Sequence, residues 1–247
     1  MHKRCLALLW VSVALACATA PAPAPAPPKG DSVVHKSKYT DIHRGPGAEY
    51  CSQMDHTTDL VKQGHLSDAE RAVDAMLAQF GPMIEQGGGI PVSVANQEQF
   101  NAVRAASDTP DRLVPLDWCY GGLLHSKAFI KAEQRDFPAA LSALDVEARA
   151  APTAASPYVE RGYILNQMGR PAEGKRAYEQ ALEIAEMYAP SAPEVPVALR
   201  GIGYSLIDLG DLDAAEVAFN KSLLLEPGNP VAQRELAYIR QLRARGQ

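Results

Sequence analysis

Few side chains in this 247-residue sequence have types and spacings that could do chemistry. The densest set is Asp55, His56, Asp59 and His65. His56 and Asp59 lie three apart and would share a helix face, but the spacing fits no zinc signature. The set reads as a solvated helix face beside a turn. Trp118-Cys119-Tyr120 offers either a reactive thiol among aromatic rings or a core anchor at the head of a helix. No H-E-x-x-H, G-x-S-x-G, P-loop or C-x-x-C is present. No catalytic residue, metal, cofactor or small-molecule substrate is therefore expected. The alternative, a periplasmic enzyme or metal-binding protein, would have its site in residues 50–120.

The elements that position such residues must be mostly helices. Apolar residues make up 47% of the chain and aromatic ones only 6%, so a core must come from Ala, Leu, Val and Ile. That mixture favours helix over a sandwich of strands. A net charge of −5 and a pI near 5.7 argue against nucleic acid as a partner, because that needs a basic face.

The N-terminus reads as an address and a tether. Lys3 and Arg4 precede an apolar run over 5–16. Twelve helical residues span about 18 Å, too short for a hydrocarbon core of about 30 Å. Residues 1–16 are thus expected to be a signal peptide. Val13-Ala14-Leu15-Ala16-Cys17 resembles a bacterial lipobox, which would make Cys17 the lipidated residue. Simple cleavage is the alternative, since Ala14-Leu15-Ala16 and Ala16-Cys17-Ala18 both follow the small-x-small rule. The prolines of the Pro/Ala stretch from Pro21 to Pro28 fix φ and lack a backbone donor, and the stretch favours an extended polyproline helix about 25 Å long. Residues 17–49 are accordingly taken as an anchor cysteine and linker.

Loss of the leader removes Cys5 and leaves Cys51 and Cys119 beside the anchor. In an oxidising compartment these two either form a disulfide or sit as separate buried thiols. A bridge across so long a loop would stabilise the fold by about 4 kcal/mol in the chain-entropy model.

The C-terminal half repeats itself. Ala128, Gly162, Gly203 and Ala237 sit in apolar helical patterns at spacings of 34, 41 and 34 residues. After the first three comes a turn, then a second helix with a small residue and a larger one four further on. These pairs are Ala140 with Leu144, Gly174 with Tyr178, and Ala215 with Phe219. Pro152 and Pro227 close the first and third units. Pro138 and Pro171 fall in first helical turns, where a missing N–H is harmless.

This pattern resembles the tetratricopeptide repeat (TPR) family. The resemblance implies an all-α fold: a right-handed superhelix of antiparallel helix hairpins with an irregular insert and a C-terminal capping helix. The repeats are framed as 121–154, 155–195 and 196–229, with the cap at 230–245. Two departures stand out. Glu147 occupies a place where the family has a small residue, and the middle unit carries extra residues around Ala189-Pro190-Ser191-Ala192-Pro193. Those extra residues make either a longer second helix or a protruding loop. Gly64-His65-Leu66 begins the second helix of a degenerate hairpin over 50–86, with Phe80-Gly81-Pro82 and Gly87-Gly88-Gly89 expected to break it. Residues 90–95 read as a short extended piece, 96–106 as a helix with Phe100 and Val103 on one face, and 108–111 as a turn.

In this family the first helix of each hairpin lines a concave groove. The resemblance then places Phe129, Tyr163, Tyr204 and Tyr238 in it at one equivalent position. Another position gives His125, Val159, Arg200 and Arg234, and Asn166, Gln167, Asp208 and Gln241 follow on the same faces. An aromatic column flanked by Arg and amides would hold an extended peptide or a partner helix. The alternative is that the rings pack between neighbouring helices. The family's chaperone-tail carboxylate clamp is not expected, because its Asn is replaced by the aromatic residues. Taken together, the chain is expected to be an exported lipoprotein on the periplasmic side of a bacterial membrane, the outer one. It would bind protein partners of the cell envelope as an adaptor or assembly factor. A self-associating spacer is the remaining alternative.

Overall fold

Four turns share one hydrogen-bond pattern and define the architecture. Gly64, Arg135, Gly169 and Gly210 each have φ between 63° and 81°. In each, the N–H of that residue bonds a carbonyl three back and the next N–H bonds one five back from itself, at 2.9–3.0 Å. This left-handed cap closes one helix and launches the next antiparallel to it. Arg135 stands where the other three turns have glycine, a strained conformation for a residue with a side chain. Its guanidinium lies 5.8 Å from the Phe137 ring centroid, a cation–π contact that offsets part of the strain.

The computed structural model describes residues 53–87, 89–188 and 193–246. The leader, Cys17, the proline-rich stretch and Cys51 lie outside them. The chain divides into two units, 1–38 and 39–247, and every described residue belongs to the second. In chain order the elements are α1 (Met54–Lys62), α2 (Leu66–Gly87), β1 (Ile90–Val94), α3 (Gln97–Ala105), β2 (Leu113–Asp117), α4 (Trp118–Glu133) and α5 (Phe137–Ala150). Then come α6 (Ser156–Gln167), α7 (Pro171–Tyr188), α8 (Glu194–Asp208), α9 (Leu212–Leu225) and α10 (Pro230–Ala244). The hairpins α1–α2, α4–α5, α6–α7 and α8–α9 pack side by side, with α10 on the last. Among the described residues no helix is long and apolar enough to cross a membrane.

Polar caps set the helix starts. Asp117, Asp136, Asp211 and Asn229 each accept a bond from a backbone N–H of the first turn they precede, at 3.0–3.2 Å. Asp117 moves the start of α4 to Trp118, three residues before the repeat frame expected from the sequence.

Two further expectations need correction. The break at Phe80-Gly81-Pro82 does not occur, because α2 runs through it for 22 residues. Phe80 is fully buried among Val73, Met76, Leu116 and Leu123, and its ring meets Tyr120 at 5.1 Å. That burial on both sides of Pro82 outweighs the lost hydrogen bond. The insert is not irregular: β1 and β2 pair in parallel, from Ile90 with Leu113 to Val94 with Asp117, around the crossover helix α3. The extended piece and the helix of the sequence reading are present, but β2 is new. Ser93 fastens the unit to the stack, since its Oγ accepts from Gly121 N at 3.0 Å and donates to Asp117 O at 3.2 Å. Of the two readings left open for the extra residues of the middle unit, the structure shows a longer second helix. α7 has 18 residues where α5 and α9 have 14, and residues 189–192 lie outside the described part.

The two helices of a hairpin meet through rings set against missing side chains. A Cβ placed on Gly162 would lie 2.7 Å from the Tyr178 ring, and one on Gly203 2.6 Å from Phe219. Tyr178 also lies against Gly201 of the next hairpin. Gly81 on α2 has nothing within 4 Å of such a position. Gly162→Ala should therefore lower stability by about 1–2 kcal/mol through overpacking, whereas Gly81→Ala should raise it by about 0.5–1 kcal/mol through helix propensity. Urea unfolding of both variants checks this; equal effects of one sign would dismiss the close-approach account.

Candidate protein-binding groove

The first helices α4, α6, α8 and α10 carry Phe129, Tyr163, Tyr204 and Tyr238 at equivalent places, and all four are half-buried. Two of them do structural work as well. Tyr163 packs against the core of Ala128, Leu144 and Ile164, and Tyr204 meets Phe219 edge-on at 5.5 Å. The Tyr204 hydroxyl lies 3.4 Å from Glu235 Oε1 and accepts from Arg234 Nη2 at 3.5 Å. Burial first, then the Glu235 carboxylate, pushes this phenol up to about 12.

The cations of the groove are closed internally. Arg200 is mostly buried and donates to Ser222 Oγ at 3.0 Å and to Glu226. Arg234 donates to the buried Glu235 at 3.0 Å. Asn166 faces the neighbouring helix: its Nδ2 donates to Ser205 Oγ at 3.0 Å, and its Oδ1 is 3.1 Å from that same oxygen. Gln167 and Asp208 are exposed, and partial burial raises the Asp208 carboxyl.

His125 and Glu147 form the most buried charged contact of the groove floor. Glu147 is 2% exposed, with Oε2 3.1 Å from His125 Nδ1 and Oε1 accepting from Ser156 Oγ at 3.3 Å. Burial pulls the imidazole down, but Glu147, by charge and hydrogen bond, together with Glu160 and Glu194 raises it to about 9. His125 is thus an imidazolium at neutral pH. Ser156, His125 and Glu147 are the residue types of a hydrolytic triad, but the serine bonds the carboxylate and the histidine holds its proton. The set is a structural clamp.

The sequence reading missed this clamp, although a signal exists. His125 and Glu147 are 22 apart, as are Val159 and Ala181, and Arg200 and Ser222. Each pair joins the first helix of a hairpin to the second, so a polar residue in the second helix marks a polar partner in the first. Glu160 was missed too. It is half-buried on α6 with no hydrogen bond or ion pair among the described residues. Burial raises its carboxyl, His125 lowers it, and the like charges of Glu147 and Glu133 raise it further.

The N-terminal candidates are placed apart from the groove. Asp55, His56 and Asp59 lie on α1, with His65 in the turn after it. His56 borders an open cleft of about 290 Å³ with Gln53, Ala72, Ala75, Met76 and Gln79. Among the described residues no group of three or more His, Cys, Asp or Glu is placed to hold a metal ion. Cys119 is fully buried and disulfide-bonded, and its expected partner Cys51 lies outside the described residues.

Residues 153–223 match the tetratricopeptide repeat family. No curated protein matches the chain. Among solved structures, the crystal structure of PilW, described as a widely conserved type IV pilus biogenesis factor, resembles it with a TM-score of 0.54 at 16% identity, over 76% of this chain and 67% of PilW. The first TPR domain of Spaghetti (RPAP3), bound to the HSP90 peptide SRMEEVD, is 21% identical with a TM-score of 0.45, covering 50% of this chain and 93% of its own. The Arabidopsis OM64 TPR domain is 16% identical with a TM-score of 0.44, covering 49% and 94%. At these identities the likeness is one of fold.

The clamp generates a test. His125→Ala strands the buried Glu147 carboxylate and should lower stability by about 2–3 kcal/mol. Replacing both, His125→Val with Glu147→Ala, copies Val159 and Ala181 of the next hairpin and should recover most of that loss. The folded imidazolium titrates at about 9, above its ordinary 6.5. Its contribution is therefore complete below about pH 6.5 and fades as pH rises through 9. The deficit of the single variant should shrink over that window. Thermal unfolding against pH measures both effects; a deficit that grows with pH would refute the assigned charge.

Proposed function

Residues 153–223 being tetratricopeptide repeats, we propose that this chain is a non-catalytic adaptor of the bacterial cell envelope that holds protein partners in its groove. The observation that carries this reading is the half-buried aromatic residue at the same place on all four inner helices, Phe129, Tyr163, Tyr204 and Tyr238. Rings at a repeated spacing supply apolar anchors with little conformational entropy to lose, the usual makeup of a binding hot spot. Within this reading the chain is exported by its first 16 residues and held by lipid at Cys17 on the periplasmic face of the outer membrane. The proline-rich stretch then lifts the repeats from the surface. It would serve assembly, the class of work named for PilW, a type IV pilus biogenesis factor.

The choice of variant follows from the packing. Tyr204 supports Phe219, so its loss would disturb the fold along with the groove. Phe129→Ala with Tyr238→Ala removes the two end rings. Crosslinking and pull-down from native membranes should give a discrete partner with wild type, reduced about tenfold or more in this double variant, with helicity by circular dichroism retained. Undiminished capture would move the binding face elsewhere. Separately, Cys17→Ser should shift the protein from the membrane to the soluble fraction. Unchanged fractionation would remove the lipid anchor from the proposal.

A further inference from the structure

The groove's charges differ sharply in whether they are already answered from within. At its C-terminal end, Arg200 donates to Ser222 and Glu226, and Arg234 to Glu235 and Tyr204. The buried acids Glu147 and Glu235 are likewise partnered, by His125 and Ser156 in one case and by Arg234 in the other. At the N-terminal end the balance is negative. Glu147, Glu160 and Glu194, on α5, α6 and α8, act on the cation His125, and Glu133 on α4 acts on Glu160. Glu160 has no ion pair or hydrogen bond among the described residues. It sits one helical turn before Tyr163, whose hydroxyl is raised by burial and by the charges of Glu160 and Glu133, against the opposing charge of Arg135.

Taking the groove as the binding face proposed above, we infer that its N-terminal half receives a basic segment of a partner protein, with a Lys or Arg side chain set between the Glu160 carboxylate and the Tyr163 ring. The charge complementarity is direct. A cation there meets a carboxylate that has no ion pair or hydrogen bond of its own among the described residues, together with the negative face of an aromatic ring, and both attractions strengthen as water leaves the groove. An acidic segment would instead meet the like charge of Glu160, while Arg200 and Arg234 already pair with Glu226 and Glu235. The groove thus selects by repulsion as well as attraction. The chain's net charge of −5 acts in the same direction at longer range, and salt would screen it.

The test uses the purified full chain as bait for a phage-displayed library of random dodecapeptides. Leading peptides are then measured by fluorescence anisotropy against wild type, Glu160→Gln and the Phe129→Ala/Tyr238→Ala double variant. Glu160→Gln keeps the side-chain shape and removes no hydrogen bond, so its melting temperature should match or exceed that of wild type. The expected result is enrichment of Lys and Arg, affinity roughly tenfold weaker for Glu160→Gln, and a steep loss of binding with added salt. Enrichment of acidic or uncharged peptides, or equal affinity for Glu160→Gln, would overturn the inference while leaving the groove as the binding face. Absence of any enriched peptide, or binding indifferent to the double variant, would take down the groove reading and this inference with it.

Discussion

The stack rests on rings that enter spaces left open by missing side chains. Tyr178 lies between Gly162 of its own hairpin and Gly201 of the next, and Phe219 lies against Gly203. Burying such a ring contributes about 2–3 kcal/mol, and it can do so only if the backbones approach closely. The same approach brings Asn166 to Ser205 and Arg200 to Ser222. The positions of α6 and α8 are thus fixed by rings packed behind them. The middle hairpin could not hold that geometry alone, because Tyr178 also packs against Gly201 of its neighbour.

Charge is handled by a second rule laid over the first. The residue three before each small glycine or alanine of an inner helix reaches the helix behind it. There it meets Glu147, Ala181 or Ser222 in the three repeats, and it is His125, Val159 or Arg200 accordingly. A buried charge left alone would be expensive, and a matched pair closes it. The visible consequence is that Arg200, which reads from the sequence as a groove cation, serves the fold. Arg234 follows the same logic through Glu235 and Tyr204.

Much of this was legible in the order of residues. The 34-residue spacing located the hairpins, and Gly64-His65-Leu66 marked the degenerate one before any geometry was known. What escaped was decided by contacts distant in sequence. α2 continues through Gly81 and Pro82 because Phe80 is buried against Tyr120, forty residues on. β2 contains Pro115 and follows a turn, so nothing local announces a strand; it exists because β1 offers an edge in parallel register. Arg135 occupies a glycine conformation, and only the three matching turns reveal it. The equivalent places of Phe129, Tyr163, Tyr204 and Tyr238 on their helices follow from position, but which charges are paired depends on distances that spacing alone does not give.

The pairing of charges separates what the repeats share from what can be particular to this chain. A fold common to many binding proteins does not choose a ligand, and neither does an aromatic column that also supports the core. Glu160 is different in kind. Its carboxyl is raised by burial and by neighbouring acids, so its ionised form weakens the folded state, and more so as pH rises through its folded value. It braces no helix and closes no clamp among the described residues. A half-buried charge that works against its own fold marks a place where local consistency yields to another demand, and such places are where binding is to be sought. In this groove the demand that fits is a positive charge brought in from outside.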